Sequence, residues 1–146
     1  IGEYAFWNCS GLTSITLPNG ITEIGGAAFK GCSNLTNVIL PEKITTISAD
    51  IFSGCSNLTS IMFPEGVKII DRYAFEGCSS LTSVIIPEEV TEISYAAFKD
   101  CSGLISVTLP EELTIIGHMA FSNCSSLTSI TIPKGVTTIG EGAFNN

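Results

Sequence analysis

Cysteine is the residue in this chain with the most chemistry to offer. Six occur, at Cys9, Cys32, Cys55, Cys78, Cys101 and Cys124, each 23 residues after the last. Cysteines in an extracellular chain can form a disulfide framework. The uniform spacing favours another reading. It puts every cysteine at the same place in a repeating unit, so the side chains share one inward direction. Parallel Cβ vectors are not by themselves disulfide geometry, and a free cysteine packs as a small buried hydrophobe. The expectation is a ladder of reduced, buried thiols. A metal centre would need convergent ligands at short spacing such as C-x-x-C, and the sequence has none. A nucleophilic cysteine would need a base. The one histidine, His118, shares its repeat column with Gly26, Ala49, Arg72, Tyr95 and Glu141, a variable set that reads as surface.

The acids repeat too. Glu42, Glu65, Glu88 and Glu111 fall in one column, with Glu89 and Glu112 beside it. Calcium takes about six to eight oxygens arranged around it, and a single stacked row cannot wrap an ion. Lys43, Lys68 and Lys134 relieve part of the repulsion, so the row reads as a solvated face. Neither a Ser/His/Asp nor a paired-acid constellation is present. No enzyme activity, cofactor or metal is therefore expected. Four N-x-S/T sequons, at Asn8, Asn34, Asn57 and Asn123, arise from the repeated N-C-S and N-L-T phrases and matter only in a glycosylating host.

Those residues must be positioned by a periodic frame. The shared pattern is approximately A-F-x-x-C-S-x-L-T-x-I-x-L-P-x-x-I-x-x-I, and a fixed period of this size signals a solenoid. Leu12, Leu35, Leu58, Leu81, Leu104 and Leu127 open a short strand. Ile15, Val38, Ile61, Val84, Val107 and Ile130 follow, then Leu17, Leu40, Phe63, Ile86, Leu109 and Ile132. Alternation here predicts a half-buried strand, stacked from coil to coil into one parallel sheet. Pro18, Pro41, Pro64, Pro87, Pro110 and Pro133 close the strands, because proline has no N–H for the ladder. A second apolar pair beyond each proline, such as Ile44 with Ile47, predicts another short strand on the far side. The stretch from Ala27 to Cys32 reads as about one helical turn with Phe29 driven inward. Gly31, Gly54 and Gly77 end that turn, with Asn8, Asp100, Asn123 and Asn146 in the same column. These are the residue types that tolerate a left-handed backbone.

Composition limits the partners. Of 146 residues, 45% are hydrophobic and 14% charged, and the formal net charge is -8. A real core is expected, and binding to nucleic acid, which needs a positive footprint, is not. No apolar run reaches the roughly 18 residues of a membrane span, so direct membrane insertion is not expected of this segment. Both ends fall in mid-pattern without a polar cap. Residues 1–146 are thus read as a single solenoid of about six 23-residue repeats, a segment of a longer protein. On that reading a missing signal peptide says nothing about secretion.

Phrases such as AFKGCSNLTNVILPEKITTI, from Ala28 to Ile47, and AFEGCSSLTSVIIPEEVTEI, from Ala74 to Ile93, carry a specific likeness. The whole chain resembles the BspA-like leucine-rich repeats of bacterial and protozoan surface proteins. The resemblance implies a right-handed leucine-rich repeat solenoid with a parallel β-sheet on the concave face and short strands or turns opposite. It also implies an exported, extracellular or cell-surface protein with a part in adhesion, whose partners are host, matrix or other microbial surface proteins. No residue-specific functional motif accompanies the family.

Within L-x-x-I-x-L the x positions face solvent, and most are Thr or Ser. Ile39, Met62 and Ile85 break that pattern in one column, with Ile105 placed diagonally to them. A contiguous exposed apolar strip is a contact candidate, whereas β-branched residues also favour sheets for their own sake. Two functions stay open: a non-catalytic protein-binding or adhesion module using Ile39, Met62, Ile85 and Ile105, or a structural spacer with no specific ligand.

Overall fold

The computed structural model describes all residues 1–146, and its chain winds as a parallel-strand solenoid without any helix. Each coil makes three ladders with its neighbours. The first-face strands are β1 (Ser14–Thr16), β2 (Asn37–Ile39), β5 (Ser83–Ile85) and β7 (Ser106–Thr108). On the second face β3 (Thr46–Ile47), β4 (Ile69–Ile70), β6 (Glu92–Ile93), β8 (Ile115–Ile116) and β9 (Thr138–Ile139) form one five-stranded sheet. Every pairing is parallel and links residues one repeat apart, as in Ile15 with Val38 and Val84 with Val107.

The first-face sheet is less continuous than its sequence pattern predicts. It consists of the pairs β1–β2 and β5–β7, with a lone bridge from Ile39 to Met62. Ile61 and Ile130 both lie outside any strand. The break beyond Met62 coincides with Phe63, the one aromatic residue in a column otherwise of leucine and isoleucine. Its ring packs edge-on against Phe75 at 5.6 Å and stays half-exposed, whereas Leu40 and Ile86 are buried.

Prolines stand just outside the strands and begin tight turns, with the Pro41 carbonyl accepting from the Ile44 N–H at 3.2 Å. The stretch from Ala27 to Cys32 corrects one expectation, for it is not a helical turn. The N–H groups of Ala27, Phe29 and Gly31 donate to Ala49, Ile51 and Ser53 of the next coil at 2.9, 3.0 and 2.8 Å. Those groups are then lost to an i→i−4 helix. Between them, Lys30 and Cys32 each close an i→i−3 turn, onto Ala27 and Phe29, both at 3.1 Å. The backbone is left-handed at Ala27 (φ 54) and Gly31 (φ 74).

Stacking of like residues builds the core. Phe6, Phe29, Phe52, Phe75, Phe98, Phe121 and Phe144 form one column with ring centroids 5.1–5.5 Å apart. Thirty-five buried residues join into a single apolar cluster along the coil axis. Each coil can bury its inner face only against its neighbours. The frame that displays the surface columns is therefore continuous.

Candidate partner-binding face

Strand alternation sorts the first face into inward and outward residues. Val38 and Val84 are buried, while the outward Ile39, Met62 and Ile85 are 66%, 83% and 72% exposed. Ile39 and Met62 meet through their backbone bridge, and Met62 and Ile85 line a common groove of about 690 Å³. Ile105, 58% exposed, stands apart from them. It precedes β7, three positions before Thr108, the residue that pairs with Ile85. It borders a separate hollow with Thr108, Ile130 and Thr131. The structure thus brings together three of the four candidate residues.

Part of the hydroxyl surface around them is already engaged. Thr36 and Thr59 donate through Oγ1 to the Thr13 and Thr36 carbonyls at 3.1 and 3.2 Å. On the serine column, Ser56 and Ser79 donate to Ser33 and Ser56, both at 3.4 Å. These bonds satisfy carbonyls between coils and leave the apolar column as the distinctive surface.

The groove lies at the seam between the third and fourth coils. There the bond from Thr82 N–H to the Thr59 carbonyl stretches to 3.5 Å, against 3.0 Å for Thr36 to Thr13 and 2.9 Å for Ile105 to Thr82. Phe63 lines this seam, and Glu65, Glu88 and Glu89 edge it. By the repeat pattern Phe63 is one more inward strand residue, and its only signal is the change from aliphatic to aromatic in that column. Glu42, Glu65, Glu88 and Glu111 are all exposed, and Lys68 meets Glu89 at 3.5 Å.

The cysteine column has its own geometry. Cys32, Cys55, Cys78, Cys101 and Cys124 are buried, and Cys9 is exposed. Each buried thiol donates to the carbonyl of the preceding coil's phenylalanine, at 3.1 Å from Cys32 to Phe6 and 3.2 Å from Cys55 to Phe29. The same contact joins Cys78 to Phe52, Cys101 to Phe75 and Cys124 to Phe98. Burial pushes the Cys55 thiol up to about 12, with the neighbouring Cys32 adding to the shift. Burial likewise pushes Cys124 to about 12 and holds Cys78 and Cys101 well above the ordinary value. A thiol that keeps its proton is a poor nucleophile and a poor metal ligand. His118 is exposed, and its Nδ1 accepts from the Glu141 N–H at 3.1 Å. No three His, Cys, Asp or Glu side chains gather where they could hold a metal ion.

The repeat pattern matches the family described as BspA type leucine rich repeat region (6 copies), over residues 1–114 and 45–146. The chain belongs to this BspA-type family. Solved structures agree with the BspA-type assignment. A leucine-rich repeat protein from Bacteroides ovatus ATCC 8483 is 36% identical with a TM-score of 0.94, across 99% of this chain and 38% of that one. A leucine rich cell surface protein from Faecalibacterium prausnitzii A2-165 is 40% identical with a TM-score of 0.91, across 99% of this chain and 39% of that one. The leucine-rich repeat protein of T. pallidum is 27% identical, with a TM-score of 0.79 across 88% of this chain and 71% of that one. This chain therefore spans under two-fifths of the Bacteroides and Faecalibacterium proteins. No curated protein matches it. BspA-type repeats are in general a non-catalytic interaction fold, and no helix here is long and apolar enough to cross a membrane.

Proposed function

We propose that this chain is a non-catalytic, protein-binding and adhesion module of an exported cell-surface protein. On this proposal residues 1–146 are one solenoid within a longer chain. The observation that carries it is the exposed column Ile39, Met62 and Ile85 on a frame whose inner face is fully packed. Burying an apolar strip of this kind against a partner yields roughly 25 cal/mol per Å² before association costs. The surface location is supported by the likeness to the Faecalibacterium cell surface protein, and the partner class is a matrix, host-surface or microbial surface protein. Ile105 would be a secondary contact at the edge of the same face.

The test is a binding screen of the protein against immobilised matrix and host-surface proteins, repeated with Met62→Ser/Ile85→Ser. Both side chains point outward, so folding should be nearly unchanged. Affinity for the partner should fall at least tenfold, about 1.4 kcal/mol. Unchanged affinity would move the site to another face.

A spacer is the second reading, favoured by one observation. Thr36 and Thr59 on the face, with Ser56 and Ser79 beside it, engage their hydroxyls between coils, which suits a stiff rod as well as a binding surface. The absence of any partner for the parent protein in the same screen would make this the better account.

A further inference from the structure

The groove at the seam of the third and fourth coils carries more than a general affinity for protein. It runs beside the first-face strands from Ser60 to Glu65 on one wall and from Ser83 to Glu89 on the other. Six or seven extended residues span on the order of 20 Å along the strands, a length that an extended chain laid beside them can follow. Met62 and Ile85 line the groove together with Phe63. Methionine is unbranched and polarizable, so it can reshape around a seated side chain.

Charge then selects the occupant. Glu65 and Glu88 occupy the same column of adjacent coils and edge the groove, both exposed to solvent. Neither has a lysine or arginine partner, since the nearby Lys68 is engaged with Glu89. Two stacked carboxylates repel until a cation lies between them. The net charge of -8 disfavours a second copy of this chain on the same surface. It also turns away acidic partners before contact.

We propose that this groove binds a basic, extended segment of a partner protein. An apolar side chain of that segment seats on Met62 and Ile85, and a lysine or arginine two positions further along, on the same side of the extended chain, reaches toward Glu65 and Glu88. The inference rests on the first face being the binding face, and it names the kind of sequence that face would take.

Three labelled eight-residue peptides test it by fluorescence anisotropy with the intact protein: one with a central Leu-Ser-Lys, one with Ser-Ser-Lys and one with Leu-Ser-Glu, since side chains two apart share a face of an extended chain. The Leu-Ser-Lys peptide should bind at least tenfold more tightly than either control. Its affinity should fall at least fivefold in Glu65→Gln/Glu88→Gln, and similarly in Met62→Ser, with circular dichroism unchanged. Equal binding of Ser-Ser-Lys would reduce the effect to bulk charge attraction and overturn the proposal, as would no binding of any peptide. Equal binding of Leu-Ser-Glu that is still lost in Met62→Ser would overturn the basic occupant alone, leaving the face as the binding site. Peptide binding indifferent to Met62→Ser, together with undiminished binding of a full-length partner to the Met62→Ser/Ile85→Ser variant, would remove both.

Discussion

At the scale of single residues, the cysteines show how a reactive side chain is made inert. Each buried thiol is surrounded by the stacked phenylalanine and leucine columns, and its S–H is directed at a backbone carbonyl one coil away. Phe29 O illustrates the economy of the arrangement, accepting both the Cys32 N–H at 3.1 Å and the Cys55 thiol at 3.2 Å. The raised thiol value has a consequence for stability. Cys55 moves from 9.0 in the free residue to about 12 in the fold. Below pH 9 both folded and unfolded chains hold this proton, and its contribution to stability is complete. Between pH 9 and about 12 the unfolded chain releases the proton while the folded one keeps it, so stability falls as pH rises. The slope from one such thiol is at most about 1.4 kcal/mol per pH unit. Cys55→Ala should therefore show a shallower decline of the urea midpoint between pH 9 and 10.5 than the parent protein. A slope equal to the parent's would mean that the folded thiol loses its proton normally.

Among the elements, the turn ladder was the least legible in the sequence. Its Ala-Ala-Phe-Lys run has the composition of a helix, and short-range propensity favours one. Hydrogen bonds to the next coil override that preference by taking alternate N–H groups. The left-handed column at Asn8, Gly31, Gly54, Gly77, Asp100 and Asn123 was readable, because only residues tolerant of positive φ recur there, and all six have it. A second left-handed column, at Tyr4, Ala27, Asp50, Tyr73, Ala96, Met119 and Gly142, was harder to read, because only Asp50 and Gly142 are types that favour positive φ. Its other residues rarely adopt this conformation and are held there by the surrounding bonds.

Gly77 separates backbone strain from crowding. A Cβ placed there would meet nothing nearer than 3.8 Å, in the backbone of Gly54, while φ is +72. Gly77→Asn should thus cost under about 1 kcal/mol, since asparagine accepts the left-handed region. Gly77→Val should cost clearly more, roughly 2 kcal/mol, from β-branching at positive φ. Paired urea denaturation curves check this, and equal losses for the two variants would point to a steric cause.

Over the whole molecule, stability is a property of neighbouring coils. Phe75 stacks on Phe52 and Phe98, at 5.5 and 5.1 Å, and also meets Phe63 edge-on. Phe144 stacks on Phe121 alone. Truncating a buried phenylalanine costs about 3–5 kcal/mol, and in a solenoid the loss weakens the interfaces on both sides. Phe75→Ala should therefore broaden or split the unfolding transition or prevent folding. Phe144→Ala should lower the midpoint modestly and leave a single transition. Calorimetry distinguishes the two, and two-state unfolding of Phe75→Ala within 0.5 kcal/mol of the parent, a margin of about the usual size for surface changes, would place that ring outside the core.

By itself the sequence determined the coil length, the inward columns and the position of every proline turn. The reason is that each coil repeats one environment, so a residue type recurring every 23 positions reports that environment several times over. The same repetition hid whatever is particular to one coil. Ile39, Met62 and Ile85 could be placed on the outer face by alternation, and Glu65 and Glu88 in a common column. That the sheet breaks beside Phe63, and that the break opens a groove joining Met62 and Ile85 to those carboxylates, was decided only in three dimensions. It depends on how far one coil stands from the next, and that spacing is decided by the packing of the whole stack.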